Sequence, residues 1–202
     1  MSQAKKVFTR MCLNNWGGID HKVLEFHEYV NLFSGKSGSG KSTVMDAIQV
    51  ILYGSFSPSF LNKAADDAKN RRSVLSYLRG EQKDGSANRK DCDFCSVIAL
   101  EIEDTGTHII TCIGIAFEVR KSDSEIKKFV YFSHSGKMPE SEYLTEQGVC
   151  YSNQEIKKLV SARTKSDDNR GKGEVNRIYG SKEAYLGTLY DVILGYIDQN
   201  RF

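Results

Sequence analysis

The sequence predicts an α/β domain in which a phosphate-binding loop and its helix precede an antiparallel run of strands, with further helices flanking the sheet. Three observations carry this prediction: a glycine-rich loop at residues 35–43, an amphipathic pattern directly after it, and β-rich runs between residues 93 and 134. Strands before and after a glycine-loop helix are typical of α/β and α+β domains. The 202 residues suffice for one domain with its own core.

Short strands are expected near the start of the chain. Residues 7–13 predict the first strand, and residues 14–18 predict the turn after it. Residues 22–26 and 29–33 predict two more strands. The last of these leads directly into the glycine-rich loop, which is the context that a phosphate-binding loop requires.

A helix is expected over residues 42–53, with Gly54 as its end. Its apolar residues recur at the spacing of one helix face, and they are Val44, Ala47, Ile48, Ile51 and Leu52. Beyond this helix, residues 62–79 form a charged segment of helical character. Residues 81–93 are polar and contain glycine, which predicts a mobile loop.

Three β-rich runs and two helical segments make up the rest of the chain. The runs cover residues 95–103, 109–120 and 128–133, and their short connections predict an antiparallel meander. Helices are predicted over residues 154–163 and 181–197 from their apolar spacing.

The glycine-rich loop carries the strongest functional signal. Residues 35–42 match the pattern G-x-x-x-x-G-K-[ST], and Thr43 follows. The glycines allow main-chain angles that other residues avoid, so that successive N–H groups point at an anion, and the helix N-terminus adds partial positive charge. The sequence therefore predicts a site for ATP, or a closely related nucleoside triphosphate, with Mg²⁺. Its members are Gly35, Lys36, Ser37, Gly38, Ser39, Gly40, Lys41, Ser42 and Thr43.

Three of these side chains have distinct expected roles. We expect Lys41 to reach the β- and γ-phosphates as the catalytic lysine, the Ser42 hydroxyl to ligate Mg²⁺, and Thr43 to contact the α-phosphate. A serine-glycine linker is the alternative interpretation of the loop, but a linker would lack the strand and helix on either side.

The second acidic site that hydrolysis needs is missing from the sequence. Four apolar residues followed by Asp-Glu usually supply it, in order to hold Mg²⁺ and position the attacking water. Here Phe117-Glu118 lacks the aspartate, and Glu103-Asp104 follows alternating residues in the wrong order. The chain therefore looks like half of a catalytic unit.

Bulk properties leave most function classes open. The net charge is only +2, so any nucleic-acid surface has to be local. No apolar run approaches the roughly 20 residues that cross a bilayer, and the first residues predict no signal peptide. Five scattered cysteines indicate a reduced, cytoplasmic protein, and Cys92 and Cys95 have no second ligand pair at zinc-site spacing.

A basic cluster follows the predicted loop helix. It comprises Lys63, Lys69, Arg71, Arg72 and Arg79. These side chains would track the phosphate backbone of DNA or, alternatively, form a solvated helix face that nearby acidic residues partly neutralise.

Several segments resemble the N-terminal head segment of SMC-type ATPases. They are residues 15–19, residues 32–48, and residues 62–65 together with residues 71–80. Within that group the chain most resembles the MukB/MksB-like condensin branch, and especially the JetC-type ATPases of the Wadjet plasmid-defence system. The final predicted helix is similar to the segment that leads into the long coiled coil of those proteins.

The resemblance implies that residues 1–202 are the N-terminal half of an SMC-type head, in the lobe of an ABC/SMC-type P-loop ATPase with a mixed sheet, an antiparallel β subdomain and flanking helices. Its parts would be the P-loop and helix at 30–53, the basic segment at 62–80, the β-rich region at 93–134 and the helical region at 154–197. A C-terminal half would bring the signature motif and the Walker B acidic pair. A second head would complete a dimer around two ATP molecules.

The resemblance also implies partners and contacts. Engagement of the heads would power extrusion of double-stranded DNA loops at the nucleoid and, in Wadjet, plasmid cleavage by a partner nuclease, with kleisin-like and winged-helix subunits. In ABC-type heads the turn after the first strand often contacts base and ribose, which makes Asn14 and Trp16 candidates for nucleotide binding. The glutamine that such heads place near Mg²⁺ has no clear counterpart here.

Two other functions stay open on the sequence alone. A self-contained P-loop kinase would need acceptor-binding residues and an arginine-rich lid, for which Arg163 and Arg170 are the only hint. An ABC transporter subunit would normally show its signature motif within a chain only slightly longer.

Overall fold

The computed structural model describes residues 4–36, 38–57, 61, 73–81, 85–167 and 175–195. In these residues the strands are β1 (Lys6–Trp16), β2 (Ile19–Glu25), β3 (Phe94–Asp104), β4 (Ile110–Val119), β5 (Lys128–Ser135) and β6 (Arg177–Tyr179). The helices are α1 (Lys41–Tyr53), α2 (Val74–Leu78), α3 (Asn153–Asp167) and α4 (Lys182–Gly187), and a π-helical segment, Thr188–Ile193, follows α4. None of the described helices has both the length and the apolar character needed to cross a bilayer.

The six described strands form one sheet in the order β2-β1-β3-β4-β5-β6, and every neighbouring pair is antiparallel. The predicted meander of β3, β4 and β5 is confirmed, with bounds that differ by two residues or fewer from the expected ones. The predicted α/β fold with antiparallel strands and flanking helices is likewise confirmed, but the mixed sheet that the resemblance implied is not, because every pair among the described strands is antiparallel.

Helices cover both faces of the sheet, and each face has its own core. Successive side chains of a strand point to opposite faces, so Met11 and Leu13 enter one core while Cys12 enters the other. The first core lies under α1, α2 and α4. The second lies under α3, whose Ile156 and Val160 are buried there. The central strands are therefore shielded on both sides.

The P-loop helix α1 is fixed at its C-terminal end by tyrosines. Gly54 ends the helix in the left-handed conformation at φ 57°, as predicted. The last carbonyl groups of a helix have no partner within it. Here Tyr185 donates to the oxygen of Ile51, Tyr190 to that of Leu52, and Tyr131 to that of Gly54. The final carbonyls of α1 are thus bonded to side chains from β5 and from the C-terminal helical region.

Three predicted elements differ in the structure, and a fourth lies mostly outside the described residues. Residues 29–33, predicted as a strand, pair with none of the described strands. The turn predicted over residues 14–18 is limited to Gly17 and Gly18, because β1 continues to Trp16. The single helix predicted over 181–197 is α4 followed by the π-helical segment. Of the helical segment predicted over 62–79, only α2 is described, and residues 62–72 lie outside the described ranges.

Candidate nucleotide-binding site

The glycine-rich loop opens directly into the N-terminus of α1. Gly38 and Gly40 have φ angles of 83° and 89°, which favour glycine over residues with a Cβ atom. A Cβ built on either residue would meet no atom within 4 Å, so the main chain is open to a ligand on that side. Gly40 is the N-cap of α1, and the helix begins at Lys41, one residue earlier than predicted. This open main chain at a helix N-terminus fits a polyphosphate.

The Lys41 ammonium lies across the mouth of the loop. Its Nζ donates to the main-chain oxygens of Gly35 at 2.5 Å and Lys36 at 2.8 Å, and to the Ser39 hydroxyl at 3.3 Å. These contacts hold the Lys41 positive charge over the loop. When a phosphate binds there, the ammonium would replace its contacts with the carbonyl oxygens by charge-assisted hydrogen bonds to the phosphate. Contact between Lys41 and the β- and γ-phosphates stays a prediction.

A cleft of about 330 Å³ adjoins the loop on the side of β1 and β2. Its walls come from three separate parts of the chain: the turn between β1 and β2, the loop with the first turn of α1, and the end of α2. The lining residues are Gly17, Gly18, Ile19, Gly38, Ser39, Gly40, Thr43, Tyr77, Gly80 and Glu81. The cleft therefore continues the open loop, and a ligand with its phosphates at Gly38–Gly40 would extend into it.

Gly17 packs against the first turn of α1 at contact distance. It has φ 56°, and a Cβ there would lie 3.1 Å from Thr43 Cγ2 and 3.2 Å from the Tyr77 ring. A Cβ on Gly80 would lie 2.8 Å from the main-chain oxygen of Gly17. The turn, α1 and the end of α2 thus approach each other closely because these two residues are glycines.

Asn14 and Trp16 were predicted to contact the nucleotide, but neither residue lines the cleft. Both side chains are completely buried. Trp16 Nε1 donates to the main-chain oxygen of Thr43 at 2.9 Å, and Asn14 Nδ2 donates to the oxygen of Glu142, in the loop that packs over the other face of the sheet. Both residues were expected in a turn, whereas β1 extends through them. Trp16 therefore stabilises α1 through a buried hydrogen bond and does not face the ligand side of the loop.

Several predicted site residues cannot be placed. Ser37 lies outside the described residues, as do the four proposed DNA contacts Lys63, Lys69, Arg71 and Arg72. Of the basic cluster only Arg79 is described, and its Nη2 donates to the main-chain oxygens of the turn between β4 and β5 at Arg120, Lys121 and Asp123. Arg79 therefore stabilises the turn between β4 and β5 by hydrogen bonding to it.

Sequence reasoning missed the contribution of α2 to the cleft. Tyr77, Gly80 and Glu81 carry no recognisable motif, and they reach the loop only through the tertiary fold. The Tyr77 hydroxyl donates to the buried carboxylate of Asp46 in α1 at 3.2 Å, which joins the two helices. The only sequence signal for the wall opposite α2 was the glycine pair Gly17-Gly18, which directly follows β1.

Among the described residues, no group of three or more His, Cys, Asp or Glu side chains converges as a metal site. Cys92 is exposed, whereas burial raises the pKa of the Cys95 thiol to about 11. In the loop, the Ser42 side chain is exposed at the start of α1, where the expected Mg²⁺ ligand would lie.

Comparison with known proteins agrees with the loop assignment. A family model described as the P-loop containing region of AAA domain matches residues 8–68, which confirms the predicted P-loop. The chain is also similar to the SbcC component of the nuclease SbcCD from Staphylococcus haemolyticus (strain JCSC1435), at 39% identity over 74 residues. That similarity covers 35% of this chain and 6% of the relative, so the chain matches only a small part of that protein's length.

Two solved structures match this chain at low sequence identity. One, described as "Structural biochemistry of ATP-driven dimerization and DNA stimulated activation of SMC ATPases", has 16% identity and a TM-score of 0.40, covering 81% of this chain and 83% of that chain. The other, "Structure of the recombination mediator protein RecF-ATP in RecFOR pathway", has 17% identity and a TM-score of 0.37, covering 79% and 39%.

Proposed function

We propose that this chain is the ATP-binding N-terminal half of an SMC-like ATPase head. The confirmed P-loop supports nucleotide binding, and the similarity to an SbcC protein supports this class of head. The resemblance of residues 15–19 and 32–48 to SMC-type heads points the same way. A kinase or a transporter subunit has no comparable support.

The observation that carries the half-head proposal is the exposed apolar segment directly before the P-loop. Tyr29, Val30 and Leu32 expose 80%, 76% and 87% of their surface, although their sequence is typical of a strand. Met45 and Tyr53 on α1 are also exposed large apolar residues. Apolar surface at a segment of strand-like sequence is suited to pairing with another strand. In the proposal, the C-terminal half of the head supplies that strand and covers this surface.

The nucleotide chemistry follows from the loop geometry. The main-chain N–H groups around Gly38 and Gly40 would bind the phosphates, Lys41 would contact the β- and γ-phosphates, and Thr43 the α-phosphate. Ser42 would ligate Mg²⁺, which offsets phosphate charge during attack by water. The acids that position this water would come from the C-terminal half, so the isolated chain binds ATP and hydrolyses it negligibly.

The finer part of the proposal is that ATP-driven engagement of two such heads powers DNA loop extrusion in a Wadjet-type defence system. Its partners would be a second copy of the head, kleisin-like and winged-helix subunits, a nuclease and double-stranded DNA, at the nucleoid in the cytoplasm. The support is the JetC-type resemblance of residues 62–65 and 71–80.

The decisive experiment measures steady-state ATP hydrolysis by the chain alone and after addition of the matching C-terminal half. We expect negligible turnover alone and full turnover in the mixture. Robust hydrolysis by the chain alone would refute the half-head proposal, even if ATP binding through the P-loop held.

A further inference from the structure

Arg89 is a buried cation outside the P-loop that contacts both outer walls of the nucleotide cleft. Its side chain is only 7% exposed, although it lies in the polar segment 81–93. Nη2 forms a short hydrogen bond with the oxygen of Gly17, and Nε donates to the oxygen of Leu78 at 3.1 Å. Nη1 donates to Asp20 Oδ1 at 2.6 Å. All three guanidinium nitrogens are therefore used.

These three acceptors belong to the two segments that face the P-loop. Gly17 lies in the turn between β1 and β2, and Asp20 is the second residue of β2. Leu78 is the last residue of α2. The main-chain N–H of Arg89 also donates to the oxygen of Arg79, just beyond α2, at 3.0 Å. A planar guanidinium fixes the directions of its hydrogen bonds, so one side chain sets the spacing between turn and helix.

Burial of the Arg89 charge costs free energy, and the hydrogen bonds of the guanidinium offset that cost only while its partners stay in place. Desolvation lowers the pKa of the Arg89 guanidinium, and the carboxylate of Asp20 acts in the opposite direction. The group nevertheless stays charged, because an arginine pKa begins far above neutrality. A buried charge that lost the main-chain acceptors of Gly17 and Leu78 would be strongly unfavourable, so the two segments are constrained together.

We propose that Arg89 is a positioning residue of the nucleotide site, which holds the Gly17–Gly18 turn and the end of α2 at the spacing that admits the nucleoside part of ATP. This inference rests on the proposed function, because it assumes that the triphosphate binds at the P-loop. Arg89 acts through its neighbours, since Gly17, Gly18 and Gly80 line the cleft and Arg89 does not.

Two ligands distinguish this role from a general effect on folding. Inorganic triphosphate with Mg²⁺ would engage the P-loop alone, whereas MgATP would also place its nucleoside in the cleft. In Arg89→Lys, a single ammonium cannot reproduce the three hydrogen bonds that the planar guanidinium makes to Gly17, Asp20 and Leu78. We expect MgATP affinity, measured by calorimetry, to fall about tenfold, as for loss of one charged hydrogen bond, while magnesium triphosphate affinity stays within about twofold.

The matched control is Arg10→Lys. Arg10 also pairs with a carboxylate, that of Glu142, but neither of these residues lines the cleft. We expect this variant to bind both ligands as the unchanged protein does. Equal weakening of both ligands in Arg89→Lys, or weakening of neither, overturns the positioning role and leaves the P-loop assignment standing. Failure of the unchanged protein to bind either ligand overturns the proposed function and this inference with it.

If Arg89→Lys does not fold, Asp20→Ala provides the same test from the surface. The Asp20 side chain is 80% exposed, so its removal leaves the core intact while Nη1 loses its acceptor. We expect MgATP affinity to fall about threefold with triphosphate affinity unchanged. Unchanged MgATP affinity in a folded Asp20→Ala would overturn the role.

Discussion

The indole nitrogen of Trp16 donates a hydrogen bond to the main-chain oxygen of Thr43, 2.9 Å away. This bond joins the last residue of β1 to the first turn of the P-loop helix. The Trp16 ring lies 4.8 Å from the Tyr77 ring and 6.4 Å from that of Phe117, between centroids. Sheet, P-loop helix and α2 therefore meet at one buried side chain.

Replacement of Trp16 by Phe tests this junction. The ring is mostly retained, but the N–H donor and part of the buried surface are lost, so we expect a loss of roughly 1–3 kcal/mol in the free energy of unfolding. Denaturant unfolding of the nucleotide-free protein measures it. A variant as stable as the original would show that the Trp16–Thr43 bond contributes little.

Lys41→Ala tests the P-loop assignment. We expect ATP affinity to fall about 10- to 100-fold, because a charged hydrogen bond to phosphate is lost. The melting temperature should change little, since the Lys41 contacts are exposed. Calorimetric titration measures the affinity, and Lys128→Ala, a remote exposed lysine on β5, is the control. Equal ATP affinity in both variants would contradict the P-loop role.

The P-loop, its helix and the meander could be predicted from the sequence, because each depends on a local pattern. The glycine motif sets main-chain angles, and apolar spacing distinguishes helix from strand. Residues 29–33 have a strand-like pattern too, but a strand forms only where another strand offers hydrogen bonds, and none of the described strands does so.

The outer walls of the cleft could not be predicted, because they depend on contacts distant in sequence. Arg89 lies in a polar segment expected to be mobile, yet it is buried because acceptors from Gly17, Asp20 and Leu78 converge on it. Asn14 likewise looked like a turn residue, and its burial follows from the packing of the Glu142 loop over β1. Local propensity contains neither of these facts.

Leu32→Ser tests the exposed segment before the P-loop. The Leu32 side chain is largely exposed, so the stability of the isolated chain should change by no more than about 0.5 kcal/mol. Association with the C-terminal half should weaken about tenfold or more, because burial of a leucine contributes roughly 1.5–3 kcal/mol. Val149→Ser, at another exposed apolar residue, is the matched control. Equal association of the two variants would place the partner surface elsewhere.

The double variant Arg71→Glu, Arg72→Glu tests the proposed DNA contact. Binding of duplex DNA by the assembled complex should weaken, and the slope of log affinity against log salt should decrease by roughly 0.9 for each phosphate that the variant no longer neutralises. Lys157→Glu, Lys158→Glu on α3 makes the same charge change at two exposed lysines over the second core. If both double variants show the same decrease in affinity and slope, the effect is one of overall charge.

The buried His134 predicts a loss of stability in mild acid. Its Nε2 lies 2.9 Å from the Tyr143 hydroxyl and its Nδ1 lies 3.0 Å from the main-chain oxygen of Ser135. These partners suit a neutral ring with its proton on Nδ1. Burial lowers the pKa of His134 from 6.5 to about 4, and the positive charge of Arg163 acts in the same direction, whereas the bond to Ser135 opposes it.

Below pH 6.5 the unfolded chain takes up a proton at His134, whereas the folded protein does not until pH falls to about 4. The stability that His134 contributes is thus complete above pH 6.5 and is lost as pH falls from there to about 4, by roughly 3 kcal/mol in total. Urea unfolding at several pH values across this window measures the slope. His134→Gln, which keeps an acceptor for Tyr143, should remove that component of the slope, because the glutamine cannot titrate. If the two proteins lose stability in parallel as pH falls, another group is responsible for the acid sensitivity.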